Sequence, residues 1–550
     1  DLFALGVIAC ELFSGKNPFR KETTAETLAA ILNDPTPSLP QITPELARVI
    51  HRCLEKKTEN RFASAQELVF ALKMVPIGNI PRTRKSSKKV IRSIAVLPFE
   101  NVSGDPELEY LGDGIVEGII HILSQIAKLK VMARSTVFHY RGSGMDPQVI
   151  GRYLNVGAVL SGRILQHGDM VTIRTELLDV NNGWHVWGDQ FHRKVADIIA
   201  VQSEIVNEIS SGLKLHLSGS QKKMLTKQFT QDPEAYKMYL KGRYYWNRRT
   251  EEGMKRAIDY FQKAIDIDPV YALAYSGLSD SYALSADFGF GSLTSKEAFG
   301  RARFAVMKAL ELDDSLAEAH ASLGHLLEHE FHWEEAEKEY KRSLKLNPGY
   351  ATTHHWYFMA LAMMGRNQES LAEMSLAQSL DPLSLIIQTD VGSCHYSWGD
   401  YDKALEILHK VVEMDFTFTT AHRYLIAVYE QKGMYKEAIE ESEKAFLATS
   451  KDTSRLLTRS RELQQILEVE GPRGYWKKRL EHNLQSSKPY RLAQIYGMLG
   501  DKESALTHLE KAIDEMSALV IYSNVDPRLK SLRSDPRFAA ILKRIGFVSS

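Results

Sequence analysis

The stretch AEAHASLGHLLEHEFHWEEAEKEYKRSLKLNP (residues 317–348) is followed two residues later by ATTHHWYFMALAMMGRNQESLAEMSLAQSLDP (residues 351–382). Both close on an Asn/Asp-Pro pair, and Pro348 and Pro382 lie 34 residues apart. In the first segment Leu323, Gly324, Ala336 and Tyr340 occupy repeat positions 7, 8, 20 and 24, with small residues where two helices would cross. The proline at position 32 stops the second helix, because it has no N–H and clashes with the preceding turn. The frame recurs with Gly392, Ala404 and Leu408, then with Leu425, Tyr429 and Ala438, and more loosely with Leu492, Tyr496, Ala505, Leu509 and Ala512. An opening unit, Gly242 to Pro269, carries a three-residue insertion. The next, with Tyr275, Leu278, Tyr282, Ala302 and Ala309, carries one of eleven between its helices. Seven units in one register predict an α-solenoid of antiparallel helix pairs over residues 235–550.

Working outward, the rest of the 550-residue chain follows other patterns. Residues 92–217 read as mixed α/β. Ser93 to Pro98 is a short apolar strand, Ile115, Val116, Ile119, Ile120, Leu123 and Ile126 form a helical stripe, and Lys130 to Met132 is a second short strand. Val171, Ile173, Thr175 and Leu177 alternate with polar residues between hairpin signals at His167-Gly168-Asp169 and Asn182-Gly183. A three-stranded meander and a helix near 197–215 complete this domain. Between it and the helices of residues 1–75 lies a basic linker, 76–91, with the cluster Arg82-Thr83-Arg84-Lys85-Ser86-Ser87-Lys88-Lys89.

Lys+Arg 69 balances Asp+Glu 69, so no global charge points to nucleic acid. No aromatic residue is interleaved with the basic run, which reads as a solvated linker. Three cysteines, Cys10, Cys53 and Cys394, are far apart, which excludes a disulfide scaffold and a cysteine zinc finger. No run of about 18 apolar residues could span a membrane. A cytoplasmic location is therefore expected, in a chain that begins mid-domain.

The 34-residue pattern is the tetratricopeptide signature. Within that family, positions 2, 5, 9, 12 and 13 face a concave groove. The resemblance implies a partner-binding stripe of Glu318, His325, Glu328 and His329 in the third unit, Thr352, His355, Met359 and Met363 in the fourth, and Thr420, Arg423, Glu430 and Gln431 in the sixth. So lined, the groove has few cations, and a protein or peptide held by apolar and neutral polar contacts is expected.

Residues 1–75 resemble the end of a protein kinase C-terminal lobe. Asp1-Leu2-Phe3-Ala4-Leu5-Gly6-Val7-Ile8, Glu11 to Phe19, and Cys53-Leu54-Glu55-Lys56-Lys57-Thr58-Glu59-Asn60-Arg61-Phe62 with Ala65 and Leu68 carry the likeness. It implies structural roles for Asp1, which would brace the catalytic loop, for Gly6 in the buried helix, and for Arg61, which would pair with a glutamate of the activation segment. Thr58 stands where the family has proline. Residues 92–215 resemble the TolB-like, flagellar-assembly-associated module, through Ile94 to Asn101, Tyr110-Leu111-Gly112-Asp113-Gly114 and Gly162-Arg163. Asp113 is expected near a helix cap rather than in an anion cradle.

The combined order resembles the C-terminal portion of a bacterial serine/threonine protein kinase: its sensor and interaction part, with ATP and magnesium belonging to the intact parent. The alternative is a non-enzymatic scaffold with a vestigial lobe. The glycine-rich loop, strand lysine, catalytic aspartate and magnesium-holding aspartate of a kinase are absent from this sequence, so no catalytic residue and no cofactor are assigned to it. Asp287-Phe288-Gly289 lies after the kinase-like segment and inside a repeat insertion, where its kinase-like spelling is fortuitous. His325-Leu326-Leu327-Glu328-His329 matches a zinc-peptidase pattern, with His332 one turn on. At repeat positions 9 and 13 the pair reads as surface histidines, and no metal is expected.

Overall fold

The computed structural model describes residues 2–72 apart from 16, 22, 37, 38, 40, 41, 43, 63–66, 69 and 70, then 91–103, 109–194 apart from 169, 197–213, 230–447, 454–484 and 488–547. Asp1 and the linker cluster Arg82–Lys89 lie outside the described residues. The chain forms two compact units, Asp1–Lys89 and Val90–Ser550.

In the first unit, helices Leu2–Ser14, Thr24–Asn33 and Pro44–Cys53 enclose Cys10, Phe19, Ala30, Leu39, Ile50 and Leu54. Gly6 lets two of these helices approach closely, since a Cβ there would stand 2.8 Å from that of Cys53. Arg61 turns inward on its own loop. Its Nε donates to the Glu55 carbonyl at 2.7 Å, and its guanidinium lies 4.8 Å from the Phe3 ring centre. Leu5, Ile8, Leu12 and Phe13 leave one side of the first helix apolar and exposed.

The second unit opens with a sheet in the order β3-β1-β4-β5-β6: β1 Ser93–Val96, β3 Lys130–Val131, β4 Ala158–His167, β5 Met170–Asp179 and β6 His185–Lys194, with the short β2 Glu100–Asn101 beside β4. β1 runs parallel to β3 and β4, and β4-β5-β6 is the antiparallel meander. Val171, Ile173, Thr175 and Leu177 all point inward along β5. Helices Glu109–Ser124 and Ile198–Gly212 close the core through Ile115, Val116, Ile119, Leu123, Val201, Ile205 and Ile209. Asp113 is not at a cap. The helix already begins at Glu109, and Asp113 is buried within it, paired to Arg134 and Arg141.

Among the described residues seven helix pairs follow, from Pro233–Trp246 with Glu251–Ile267 to Pro489–Leu499 with Lys502–Asp514. Where the frame has glycine at position 8, the large residue of the paired helix presses on it. A Cβ on Gly324 would come within 2.8 Å of the Tyr340 ring, and one on Gly392 within 2.8 Å of Leu408. The segment Ser454–Asn483, placed between the sixth and seventh pairs, breaks at Gly471, whose φ of 65° suits only glycine there, and resumes at Pro472. After the last pair the chain returns to earlier units. Trp333 Nε1 donates to the Ile545 carbonyl at 2.8 Å, Asn524 donates to the Met363 carbonyl at 2.9 Å, and the Ala518–Tyr522 turn packs on Ala272–Phe288 and Ala317–His329.

The α/β domain is docked against the repeats. Arg243 meets Glu117 at 2.5 Å, His121 meets Glu318 at 2.7 Å, and Asn347 donates to the Ser124 hydroxyl at 3.0 Å. Thr136 donates to Asp381 at 2.7 Å, and the Ala133 amide to the Leu380 carbonyl at 2.8 Å. Leu240 from the first repeat helix sits on Gly114, where a Cβ would come within 2.5 Å of it. That contact is why the helix tolerates this glycine.

Candidate functional site

The α/β domain, the concave side of the repeats and the returning C-terminal segment together line a cavity of about 1850 Å³. Glu117, His121 and Arg134 come from the α/β helices, Asp287, His325, His355 and Arg423 from the repeats, and Ala518, Tyr522 and Arg528 from the return.

Ten of the twelve residues assigned to the partner groove line this cavity, and Glu430 and Gln431 do not. The Gln431 amide rests on the Met498 sulfur at 3.4 Å. Several of the ten are already engaged within the chain. Glu318 holds His121 of the α/β domain, and His355 meets Asp390 at 2.7 Å. Met359 and Met363 belong to a buried cluster that includes Val520, Ile521 and Leu529 of the C-terminal segment. They are packing residues, because the chain's own tail covers them.

Two further expectations are corrected. The cavity is not poor in cations: Arg243, Arg248, Arg249, Arg423, Arg491, Arg528 and Lys488 all line it. Most of these stand outside the groove positions of the repeat frame, which is why the frame missed them. Arg243 and Arg528 are paired to Glu117 and Glu430. Burial and the neighbouring Arg243 push the Arg249 guanidinium down to about 10. Burial and the guanidiniums of Arg479, Arg528 and Arg423 do the same to Arg491. Such shifts mark positive charge without full compensation.

The second correction concerns the histidines, which do not stand on the open surface: His329 is buried and His325 half-buried. His329 is 4% exposed, and both rings line the cavity. His325 Nε2 lies 2.8 Å from one Asp287 oxygen and His329 Nε2 lies 3.1 Å from the other. Burial alone would raise the Asp287 carboxyl, but His329 and His325 hold it well below the usual range. Burial would lower His325, yet Asp287 lifts it to about 9, while burial keeps His329 below its ordinary value. Burial pushes Glu328, which accepts from Tyr340, up to about 7. His332 is exposed and takes no part.

Asp287 reaches this place because the first helix of the second unit runs Ala272–Phe288, 17 residues, against 13 in the next unit. Gly289, with φ of 70°, then ends it. The extra turn accounts for part of the insertion between the second unit's helices. The signal was therefore present in the sequence as a lengthened helix beside an i, i+4 histidine pair.

Comparison with known proteins gives partial matches. Residues 89–217 match the family described as HilA/YgeH-like transcriptional regulator, second domain, and residues 317–350 and 490–515 match tetratricopeptide repeats. The protein named "Putative adenylate cyclase 3" of Rhizobium meliloti is 35% identical over 187 residues, 34% of this chain and 32% of that protein. The serine/threonine-protein kinase drp72 of Corynebacterium efficiens is 30% identical over 104 residues, 19% of this chain and 20% of that one. The chain thus spans about a third or less of the length of these relatives. Among solved structures, YrrB, a TPR protein with an unusual peptide-binding site, is 22% identical with a TM-score of 0.24, covering 37% of this chain and 97% of that one. This chain therefore carries a HilA/YgeH-like domain and a tetratricopeptide protein-interaction region. Among the described residues no helix is long and apolar enough to cross a membrane.

Proposed function

We propose that this chain is the sensor and interaction part of a bacterial serine/threonine protein kinase, and that its α/β domain and repeats act as one receptor for a peptide segment carrying an anionic group. The observation that carries the reading is the shared cavity, with Arg249, Arg423 and Arg491 lining it and no carboxylate ion pair formed by any of them among the described residues. A cation that faces a cavity with incomplete compensation favours a ligand that supplies the missing charge. This replaces the neutral partner expected from the sequence, and it implies affinity that falls as salt rises.

The kinase assignment draws support from the exposed apolar face of Leu5, Ile8, Leu12 and Phe13, which a larger lobe would cover. It also draws support from the partial similarity to kinases. ATP and magnesium would act in the intact parent. Purified chain 1–550 should give no heat with Mg-ATP, because the phosphate-binding elements are missing from it. Coding sequence upstream of Asp1 should supply a glycine-rich loop and a catalytic aspartate, and an upstream region without them favours the scaffold alternative.

Phage display of random peptides against the full chain tests the receptor. Acidic or C-terminal carboxylate peptides should be enriched, and they should be lost with the Arg423→Gln/Arg491→Gln double variant. Peptides retained equally by that variant would remove the cavity cations from the account.

A further inference from the structure

We infer that Asp287, His325 and His329 form a binding site for a divalent first-row transition metal ion on the wall of the cavity. The three donors come from two neighbouring helices, with the histidines one turn apart on Ala317–His329 and Asp287 in the last turn of Ala272–Phe288. Their ligand atoms all lie within 4.8 Å of one another. Two imidazoles and one carboxylate suit zinc and its neighbours, whereas calcium and magnesium prefer all-oxygen sets.

Two observations separate this cluster from an ordinary ion pair. First, one imidazole is enough to partner one carboxylate, and His325 already does so. His329 nevertheless brings a second imidazole to the same carboxylate, with Nε2 at 3.1 Å from the other oxygen. Two imidazoles converging on one carboxylate at a cavity wall are a metal-ligating donor set, one group more than an ion pair uses. Second, the rings are fixed before any ion arrives. His329 stacks on Phe299 at 4.5 Å and 23°, and His325 stacks on Trp356 at 4.7 Å and 20°. The two imidazoles stand at 89° to each other. Rings held by stacking keep their nitrogens directed at the carboxylate, which is the preorganisation a metal site needs.

Tetrahedral donors at ordinary zinc distances stand about 3.3 Å apart. An ion would enter as Asp287 moves outward from its present separations of 2.8 and 3.1 Å and the two imidazole nitrogens, now within 4.8 Å of each other, adjust to it. With three protein ligands, a coordination position stays open, as in sites that exchange a water or an anionic oxygen. All three residues line the cavity, so that position is available to its occupant. The metal site does not depend on the peptide reading, since the donor set exists whichever ligand the cavity takes.

The test is calorimetric titration of chelator-treated full chain with ZnCl2. One equivalent should bind, and Asp287→Asn and His329→Gln should each weaken it by at least about 100-fold, no less than the loss of an outer-shell partner costs. His332→Ala, on the exposed histidine of the same segment, should bind as the wild type does. Circular dichroism checks that the variants are folded. The wild type loaded with Co2+ should show visible absorption of a low-coordinate nitrogen/oxygen site, a readout that needs no variant. Absence of stoichiometric binding to the folded wild type would reduce the cluster to an Asp287–His325 ion pair. Zinc retained undiminished by both variants would place the ion elsewhere. Either result overturns the inference.

Discussion

Two sets of histidines divide the repeat array. His320, His354 and His422 stand at position 4 of the third, fourth and sixth units, and each makes the same two contacts. Nδ1 meets a glutamate 19 residues on (Glu339, Glu373, Glu441) at 2.5–2.6 Å, and Nε2 meets a carbonyl six residues back (Asp314, Pro348, Phe416) at 2.8–3.0 Å. In the fifth unit Gln388 takes the place and reaches the Pro382 carbonyl. These side chains tie the first helix of a unit to its second helix and to the preceding turn. His325 and His329 have no such periodic counterparts, since the next unit has Met359 and Met363 at their positions. Polar contacts that repeat with the fold hold the fold. Those that break the period assemble the cavity.

The largest effect should come from breaking the periodic row at its most buried member. His422→Ala leaves Glu441, 2% exposed, facing the vacated position, and should cost about 3 kcal/mol in denaturant unfolding. His320→Ala should cost clearly less, because Glu339 is 27% exposed and water can replace the imidazole.

A substitution of opposite sign sharpens the other half of the comparison. Asp280 is buried beside Arg243, Arg249 and His325 and accepts from Ser322 at 2.5 Å. Burial pushes its carboxyl up to about 6 from an unfolded value of 3.8. The unfolded chain releases that proton first as pH rises, so stability falls between pH 4 and 6 and stays reduced above. Asp280→Asn should therefore stabilise by about 1–3 kcal/mol at pH 7.5 and by nothing at pH 3.5, read as thermal midpoints. Gly324→Ala, which drives a methyl into the Tyr340 ring, should cost about 1–3 kcal/mol. His332→Ala, exposed and outside both sets, should stay within about 0.5 kcal/mol.

The repeat array was legible because its signal is additive. Leu323, Gly324, Ala336 and Tyr340 recur at fixed positions and mark one helix-pair geometry wherever they appear. The strand alternation of Val171 to Leu177 was legible for the same local reason. The docking of the α/β domain was not. Glu117, His121 and Ser124 read as the polar residues of an amphipathic helix, and only the fold brings Arg243, Glu318 and Asn347 to them. The C-terminal return was equally hidden, since Val520 and Ile521 carry no mark of the distant Met359 and Met363 they help to bury. The cavity cluster was half legible. Both motifs, at 287–289 and 325–329, are visible in the sequence, but their meeting depends on one added helical turn.

The central claim is that the α/β domain and the repeats form one receptor body around the cavity. Hydrogen–deuterium exchange of the full chain carrying Arg243→Gln tests it most directly, because Glu117 then loses its strongest partner from the repeats and keeps Arg134 and the weaker Asn247 contact. The account predicts that protection is lost together in Glu109–Ser124 of the α/β domain and in Pro233–Trp246 of the first repeat. Loss confined to Pro233–Trp246, with Glu109–Ser124 exchanging as in the wild type, would contradict it.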